Sequence, residues 1–112
     1  MSDGVSNPED AKIITLARSA RARVAASGGA CARDTTGRTY ASANVSLGDL
    51  HLSATVLAVA QAVASGATGF EAIAVSGGVL DGDLEAIRAA GGSGVVVFVI
   101  DEQGDLVQTD RT

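Results

Sequence analysis

The chain has 112 residues and one cysteine, Cys31, so its length suits one domain and its composition excludes an internal disulfide. Thirteen acidic residues against eight basic ones give a net charge of −5, which argues against general binding to nucleic-acid backbones or anionic membranes. No apolar run has the length and flanks of a membrane span or a signal peptide. We therefore expect a cytoplasmic protein whose core is built from small aliphatic side chains, since only 3% of its residues are aromatic.

Pro8 begins the first predicted helix, because proline suits a first turn and the two acidic residues after it favour the positively polarised helix end. Residues 27–29, Ser-Gly-Gly, end this helix. We expect residues 1–8 to form a short disordered lead and residues 9–112 to form a single domain. The residues that recur at helical spacing and should face the core are Ile13, Leu16, Ala17, Ala20 and Val24.

An antiparallel hairpin is predicted over residues 30–45, where two short strands flank a turn at 34–37. The helix predicted over residues 53–64 is almost wholly apolar or small, so it needs burial on more than one side.

The second half of the chain alternates strands with a helix. A strand candidate at 70–75 precedes an amphipathic helix at 81–90, and the β-branched run at 95–100 is typical of a strand covered on both faces. Residues 106–109 add an edge strand. This order predicts an α/β protein, a three-layer α/β/α sandwich around one mixed five-stranded sheet.

Three segments resemble the cytidine deaminases. Residues 28–46, GGACARDTTGRTYASANVS, are similar to that family's hairpin, in which a small-residue strand, an acidic turn ending Gly-Arg and a strand ending Asn-Val-Glu follow one another. Residues 50–66 look like the segment where Leu-x-x-Cys-Ala-Glu opens a long helix, and residues 70–75 match a Phe-x-x-Ile-Ala-Val strand. The resemblance to the cytidine deaminase-like superfamily implies the same three-layer fold.

The chemistry of that family is missing from the matched positions. Zinc deaminases hold a metal-bound hydroxide with one His or Cys and two Cys, and a Glu shuttles protons. In the matched register Ser53 replaces the first Cys, Thr55 replaces the Glu, and residues 77–83 contain no cysteine. A serine hydroxyl is a poor zinc ligand, and threonine does not exchange protons near neutral pH. The resemblance therefore implies a degenerate member without metal, cofactor or catalytic residues, and we predict that the chain is not an enzyme.

A residual pocket is the remaining candidate site. Asn44 keeps the first residue of the family's ribose-binding Asn-x-Glu pair, whereas Ser46 replaces the Glu. Ser53 and Thr55 most simply cap the following helix. Alternatively they hold a small anion or phosphate at that helix N-terminus together with His51. The candidate pocket residues are Asn44, Ser46, His51, Ser53 and Thr55.

His51 and Cys31 have simpler interpretations than a metal site or a reactive thiol. A metal site can be drawn from His51, Asp49 and either Asp81 or Asp83, but a lone histidine is more often structural and no metal is predicted there. Cys31 lies in a strand of small residues, where we expect a buried and unreactive thiol.

The leading functional hypothesis is a catalytically inactive deaminase-like protein that acts as an oligomeric interaction or regulatory module. The alternative is a nucleoside- or nucleotide-binding protein that uses the pocket around Asn44 and the Ser53 helix start, and a metal-free enzyme is a more remote third hypothesis. Because deaminases of this type assemble through elements near the apolar helix, the resemblance implies a homo-oligomer, a dimer or a tetramer. It also suggests a protein partner, a ribosome-maturation or RNA-processing factor.

Overall fold

The computed structural model of the chain describes residues 7–112. The predicted disordered lead therefore lies largely outside the described residues, and the first helix begins at Pro8, inside the range assigned to that lead. The elements, in chain order, are α1 (Pro8–Arg23), β1 (Gly29–Asp34), β2 (Thr39–Ala43), β3 (Val45–Leu47), β4 (Leu50–Leu52), α2 (Ala54–Ala64), β5 (Phe70–Ser76), α3 (Asp83–Gly91), β6 (Val96–Ile100) and β7 (Leu106–Arg111).

A mixed five-stranded sheet forms the centre, in the order β2-β1-β5-β6-β7. Strands β5 and β6 run parallel, and the other neighbouring pairs are antiparallel. The chain crosses from β5 to β6 through α3, which is the usual way to join parallel strands. The predicted sheet is confirmed.

The helices cover both faces of this sheet. Alternate strand residues such as Ala30, Ile73 and Val97 belong to one core cluster, which includes the buried side chains of α2 and α3. The intervening residues, such as Cys31 and Ala74, belong to a second cluster with α1. Because successive side chains of a strand point to opposite faces, these two clusters are the two inner layers of an α/β/α sandwich. The predicted three-layer architecture is confirmed.

The structure differs from the sequence prediction in the segment after β2. That strand ends at Ala43, and residues 45–52 form a separate two-stranded hairpin, β3–β4, in place of a loop. Its turn contains Gly48 with a φ of 57°, a backbone conformation that glycine adopts without strain. The hairpin places Ser46 directly opposite His51.

One prediction about α1 needs correction, and the predicted burial of α2 on more than one side is confirmed. Val24 follows the last residue of α1 and is 64% exposed, so the buried stripe of that helix ends at Ala20. Helix α2 packs against the sheet and against α3, as its apolar composition indicated, but Val63 remains 51% exposed. Within residues 7–112, no helix has both the length and the apolar character that crossing a membrane requires.

Candidate functional site

A pocket of about 410 Å³ opens beside the N-terminus of α2. Four of the five predicted pocket residues meet there, and Thr55 does not line it. The pocket is bounded by the loop before β1, the β3–β4 hairpin, the first turn of α2 and the loop before α3. Its lining residues are Ser27, Asn44, Val45, Ser46, His51, Leu52, Ser53, Val56, Leu80 and Asp81.

Asn44 ties three segments together at the wall of this pocket. Its Oδ1 accepts a hydrogen bond from the amide of Ala54, at 2.7 Å, and its Nδ2 donates to Ser27 Oγ, at 3.0 Å. The amide of Asn44 also donates to the carbonyl of Gly28, at 2.9 Å. A primary amide carries two N–H donors, so Nδ2 keeps a second hydrogen for a ligand. Asn44 is therefore both a structural junction and a possible ligand donor.

Two glycines allow the backbone segments around Asn44 to approach each other closely. A Cβ on Gly28 would lie 2.7 Å from Asn44 Nδ2, and a Cβ on Gly77 would overlap the carbonyl oxygen of Ser27. Gly77 also has a φ of 94°, which side-chain-bearing residues rarely adopt. The backbone at the carboxyl end of β5 thus approaches the loop before β1 closely enough to place Ser27 and Asn44 side by side.

Ser46 and His51 form a second polar group at the pocket mouth. Ser46 Oγ lies 3.0 Å from His51 Nδ1, and both side chains are exposed. The cross-strand register of β3 and β4 produces this pair, because directly opposed residues share a face. With Nδ1 engaged, the imidazole Nε2 is the atom available to a ligand.

Ser53 connects the start of α2 to the start of α3. Its Oγ accepts from the amide of Val56, at 3.0 Å, as a helix N-cap, and donates to Asp83 Oδ1, at 2.6 Å. The other carboxylate oxygen of Asp83 accepts from the amide of Leu80, at 2.8 Å. Asp83 is only 1% exposed. The predicted cap is confirmed for Ser53, which has a further partner that sequence reasoning missed.

Thr55 does not play either predicted role. Its side chain is 1% exposed and, within residues 7–112, its Oγ1 has no hydrogen-bond partner. It therefore neither caps α2 nor lines the pocket. The interior position follows from helical geometry, since Thr55 lies among the residues of α2 that face the sheet.

The residues present do not fit the zinc site of the deaminases. Ser53 Oγ already donates to Asp83 and accepts from Val56, and both oxygens of Asp83 accept hydrogen bonds. A threonine hydroxyl at the proton-shuttle position neither binds zinc well nor exchanges protons at neutral pH. Across the part of the chain that the structure describes, no three His, Cys, Asp or Glu side chains are grouped to hold a metal ion.

The electrostatics of the pocket disfavour a phosphate. The described lining residues include no Lys or Arg, whereas Asp81 contributes a carboxylate. Two amides in the first turn of α2, those of Ala54 and Val56, already donate to side chains. A helix N-terminus attracts anions through free amide donors, and two of these donors are occupied. The structure therefore gives little support to the predicted anion or phosphate alternative.

Cys31 lies away from the pocket, in the core layer under α1. It is completely buried, and its pKa is raised from 9.0 to about 11, mainly because burial penalises the thiolate. Since the thiolate is the reactive form, burial and the raised pKa both favour an unreactive thiol. The predicted burial of Cys31 is confirmed.

Comparison with known protein families identifies the family of the chain. A family model described as cytidine deaminase-like matches residues 6–104. The chain belongs to the cytidine deaminase-like family. Comparison with curated proteins gives no significant match.

Solved structures of this family share the fold of the chain. Cytidine deaminase from Burkholderia pseudomallei is 23% identical with a TM-score of 0.79, and the match covers 88% of this chain and 89% of that one. The enzyme from Mycobacterium leprae is 18% identical with a TM-score of 0.72, covering 93% and 94%. That from Mycobacterium tuberculosis is 23% identical with a TM-score of 0.70, covering 81% and 85%.

One prediction is overturned by these comparisons. We predicted from the missing ligand residues that the chain is not an enzyme, but the solved structures that match its fold are cytidine deaminases. The prediction was wrong because it rested only on the residues that replace the metal ligands and the proton-shuttle Glu, and such replacements do not settle whether a protein has an activity.

Proposed function

We propose that the chain binds a nucleoside in the pocket beside α2. The observation that supports this most strongly is the convergence of Asn44 Nδ2, the Ser46–His51 pair and Ser27 in one cavity of about 410 Å³. Small-molecule sites combine an apolar wall with a few converging polar groups, and this cavity has that composition. The structural neighbours are named as deaminases of cytidine, which suggests the ligand class.

The apolar and the polar side chains of the pocket match the base and the ribose of a nucleoside. Leu52, Val56 and Leu80 supply apolar surface for a flat base. The carboxylate of Asp81 accepts from hydroxyl groups, and Asn44 Nδ2 donates to them, so these two groups suit a ribose. A nucleotide phosphate would meet Asp81 without a compensating cation, so the unphosphorylated nucleoside is the preferred form.

Thermal unfolding with added ligand tests the proposal. A ligand that binds only the folded state stabilises it by RT ln(1 + [L]/Kd), which is about 1.4 kcal/mol at ten times Kd. For a domain of this size that corresponds to a rise of roughly 5 °C in Tm. We expect cytidine, uridine or adenosine at millimolar concentration to give such a rise, and cytidine monophosphate to give less.

A matched pair of variants gives this test its control. His51→Ala removes a group at the pocket mouth, whereas Gln108→Ala changes an exposed residue of β7. The nucleoside-induced rise should shrink in the first variant only. If no nucleoside raises the Tm of the unaltered protein, the proposal is wrong. Chromatography of the same cytidine samples shows whether the bound nucleoside is also converted.

We also infer that the chain assembles with itself, as a dimer or a tetramer. Large apolar side chains remain exposed on the monomer near the pocket and on α2: Leu47 at 74%, Leu50 at 50%, Leu80 at 48% and Val63 at 51%. Leu47 and Leu50 are directly opposed across the β3–β4 hairpin, and adjoining exposed apolar side chains favour a protein interface. Light scattering at micromolar concentration should give a multiple of 11.1 kDa, and Leu47→Lys should reduce it. A monomeric mass for the unaltered protein contradicts the inference. The ribosome-maturation or RNA-processing partner stays a prediction.

A further inference from the structure

Helices α2 and α3 begin close together, at one side of the pocket. The residue before α3 is Gly82, which has no side chain to cap the helix, and Asp83 is the first residue of α3. Asp83 reaches across to Ser53, the N-cap of α2, thirty residues earlier in the chain. A single side chain therefore joins the two helix starts.

The Asp83 carboxylate is held from two directions. One oxygen accepts from Ser53 Oγ at 2.6 Å, and the other accepts from the amide of Leu80 at 2.8 Å. It also lies at the positively polarised N-termini of α2 and α3, where a negative charge is favoured. Hydrogen bonds to an ionised acceptor are stronger than neutral ones, and leaving a buried one unpaired is costly.

We propose that the Ser53–Asp83 hydrogen bond is a metal-independent bridge that positions the start of α2 against the start of α3 and so shapes the pocket. It occupies the place where the resemblance expects zinc ligands to bring the same two helices together. The groups at this place are a serine hydroxyl and an aspartate carboxylate, where the resemblance expects cysteine thiolates.

The bridge acts on the pocket indirectly. Ser53, Leu80 and Asp81 line the pocket, whereas Asp83 does not. Loss of the Asp83 carboxylate would free the amide of Leu80 and the hydroxyl of Ser53, and both residues belong to the wall. Asp83 is therefore a positioning residue rather than a ligand-binding one.

Metal dependence is the first test. The Tm of the full chain is measured as purified, after treatment with EDTA and after addition of zinc. A bound structural metal would stabilise the folded state by mass action. If the Ser53–Asp83 bridge is independent of metal, the Tm values of the purified, EDTA-treated and zinc-supplemented samples should lie within about 1 °C of one another. A Tm that falls with EDTA and returns with zinc would overturn the proposal.

A double-mutant cycle is the second test. Ser53→Ala and Asp83→Ala should each lower the Tm by roughly 4–8 °C. The double variant should lose less than the sum of the two, because both changes break the shared Ser53–Asp83 bond and each also removes one separate bond, from Val56 or from Leu80. Asp81→Ala, which removes the neighbouring exposed carboxylate, should leave the Tm unchanged. Additive losses from Ser53→Ala and Asp83→Ala, or no loss from Asp83→Ala, would show that the two residues do not act together.

Amide hydrogen exchange separates positioning from general destabilisation. Under conditions where every variant is folded, Asp83→Ala should speed exchange of the Leu80 amide by about tenfold, and a distant amide in β6 should be unaffected. Ser53→Thr keeps a hydroxyl and should restore the protection of Val56 that Ser53→Ala loses. Uniformly faster exchange would contradict a local bridge.

The effect on ligand affinity rests on the proposed nucleoside binding. Asp83→Ala should weaken cytidine binding by about three- to tenfold at a temperature where the variant is folded. Unchanged affinity would show that the bridge does not shape the pocket. If the unaltered protein binds no nucleoside while the cycle remains non-additive, the proposed function fails and the bridge itself stands.

Discussion

Two buried carboxylates, Asp34 and Asp83, stabilise this molecule in different ways. Asp34 accepts hydrogen bonds from the amide and hydroxyl of Thr36, the amide of Arg38 and the hydroxyl of Tyr40, all within one hairpin. Asp83 accepts from Ser53 and Leu80, and the Ser53 bond spans two helices. The comparison shows that a local carboxylate fixes a turn, whereas a long-range one places the parts of a pocket relative to each other.

The largest expected effect is on the hairpin. Asp34→Ala leaves two amides and two hydroxyl groups without their acceptor, so the free energy of unfolding should fall by about 3 kcal/mol. Urea unfolding measures it, with Asp49→Ala in the exposed β3–β4 turn as the control. A loss below about 1 kcal/mol would mean that water replaces these bonds readily.

The stability of the protein at acid pH should depend on Asp34. Burial alone would raise the pKa of Asp34, but the bonds from Thr36, Tyr40 and Arg38 lower it from 3.8 to about 2. Because the folded-state pKa is depressed, this stabilisation is fully present above pH 3.8 and is lost as the pH falls toward about 2. Urea unfolding of Asp34→Asn between about pH 6 and pH 2 should show a smaller acid-induced loss than the unaltered protein. If the stability of the two proteins falls in parallel with pH, Asp34 is not the source of the acid-induced loss.

The long-range carboxylate should have a smaller effect on stability and a larger one on binding. Asp83→Ala should lower the free energy of unfolding by about 2 kcal/mol, less than Asp34→Ala, since fewer partners lose their acceptor. Calorimetric titration with cytidine should show weaker binding in Asp83→Ala and unchanged binding in folded Asp34→Ala. Equal effects of the two changes on affinity would remove the distinction between the two carboxylates.

The exposed pair at the pocket mouth should affect binding alone. Ser46→Ala removes an exposed hydroxyl whose one hydrogen-bond partner among residues 7–112 is His51, so the Tm should change by about 2 °C or less. Cytidine affinity should fall by roughly two- to tenfold, the range for one solvent-accessible hydrogen bond. A Tm loss as large as that of Asp83→Ala would show that the hairpin pair is structural.

The smallest effect is expected at the buried thiol. Cys31 is inaccessible, and its raised pKa of about 11 keeps it protonated, so a thiol reagent should not react with it in the folded protein at neutral pH. Reaction should appear only in urea, at the concentration where the protein unfolds. Rapid labelling without urea would mean that the layer under α1 opens readily.

The same contrast between local and long-range contacts explains what the sequence could predict. The β1–β2 hairpin, its acidic turn and the apolar strands β5 and β6 depend on neighbouring residues, and their patterns are visible in the chain. Strands β3 and β4 have three residues each, too few for a periodic pattern, so they were missed.

The candidate site was predicted in part. Asn44, Ser46, His51 and Ser53 do meet in one pocket, whereas Thr55 points into the core. The role of Asp83 was missed because its partner lies thirty residues away in sequence. From the sequence, Asp83 was weighed only as a candidate ligand of a metal site with His51 and Asp49.

Calorimetric titration of cytidine into protein treated with EDTA examines the pocket and the metal-independent bridge in one experiment. We expect saturable binding with the same affinity before and after EDTA treatment, and weaker binding in Asp83→Ala but not in Asp49→Ala. Absence of binding, or binding that returns only when zinc is added, would contradict this expectation.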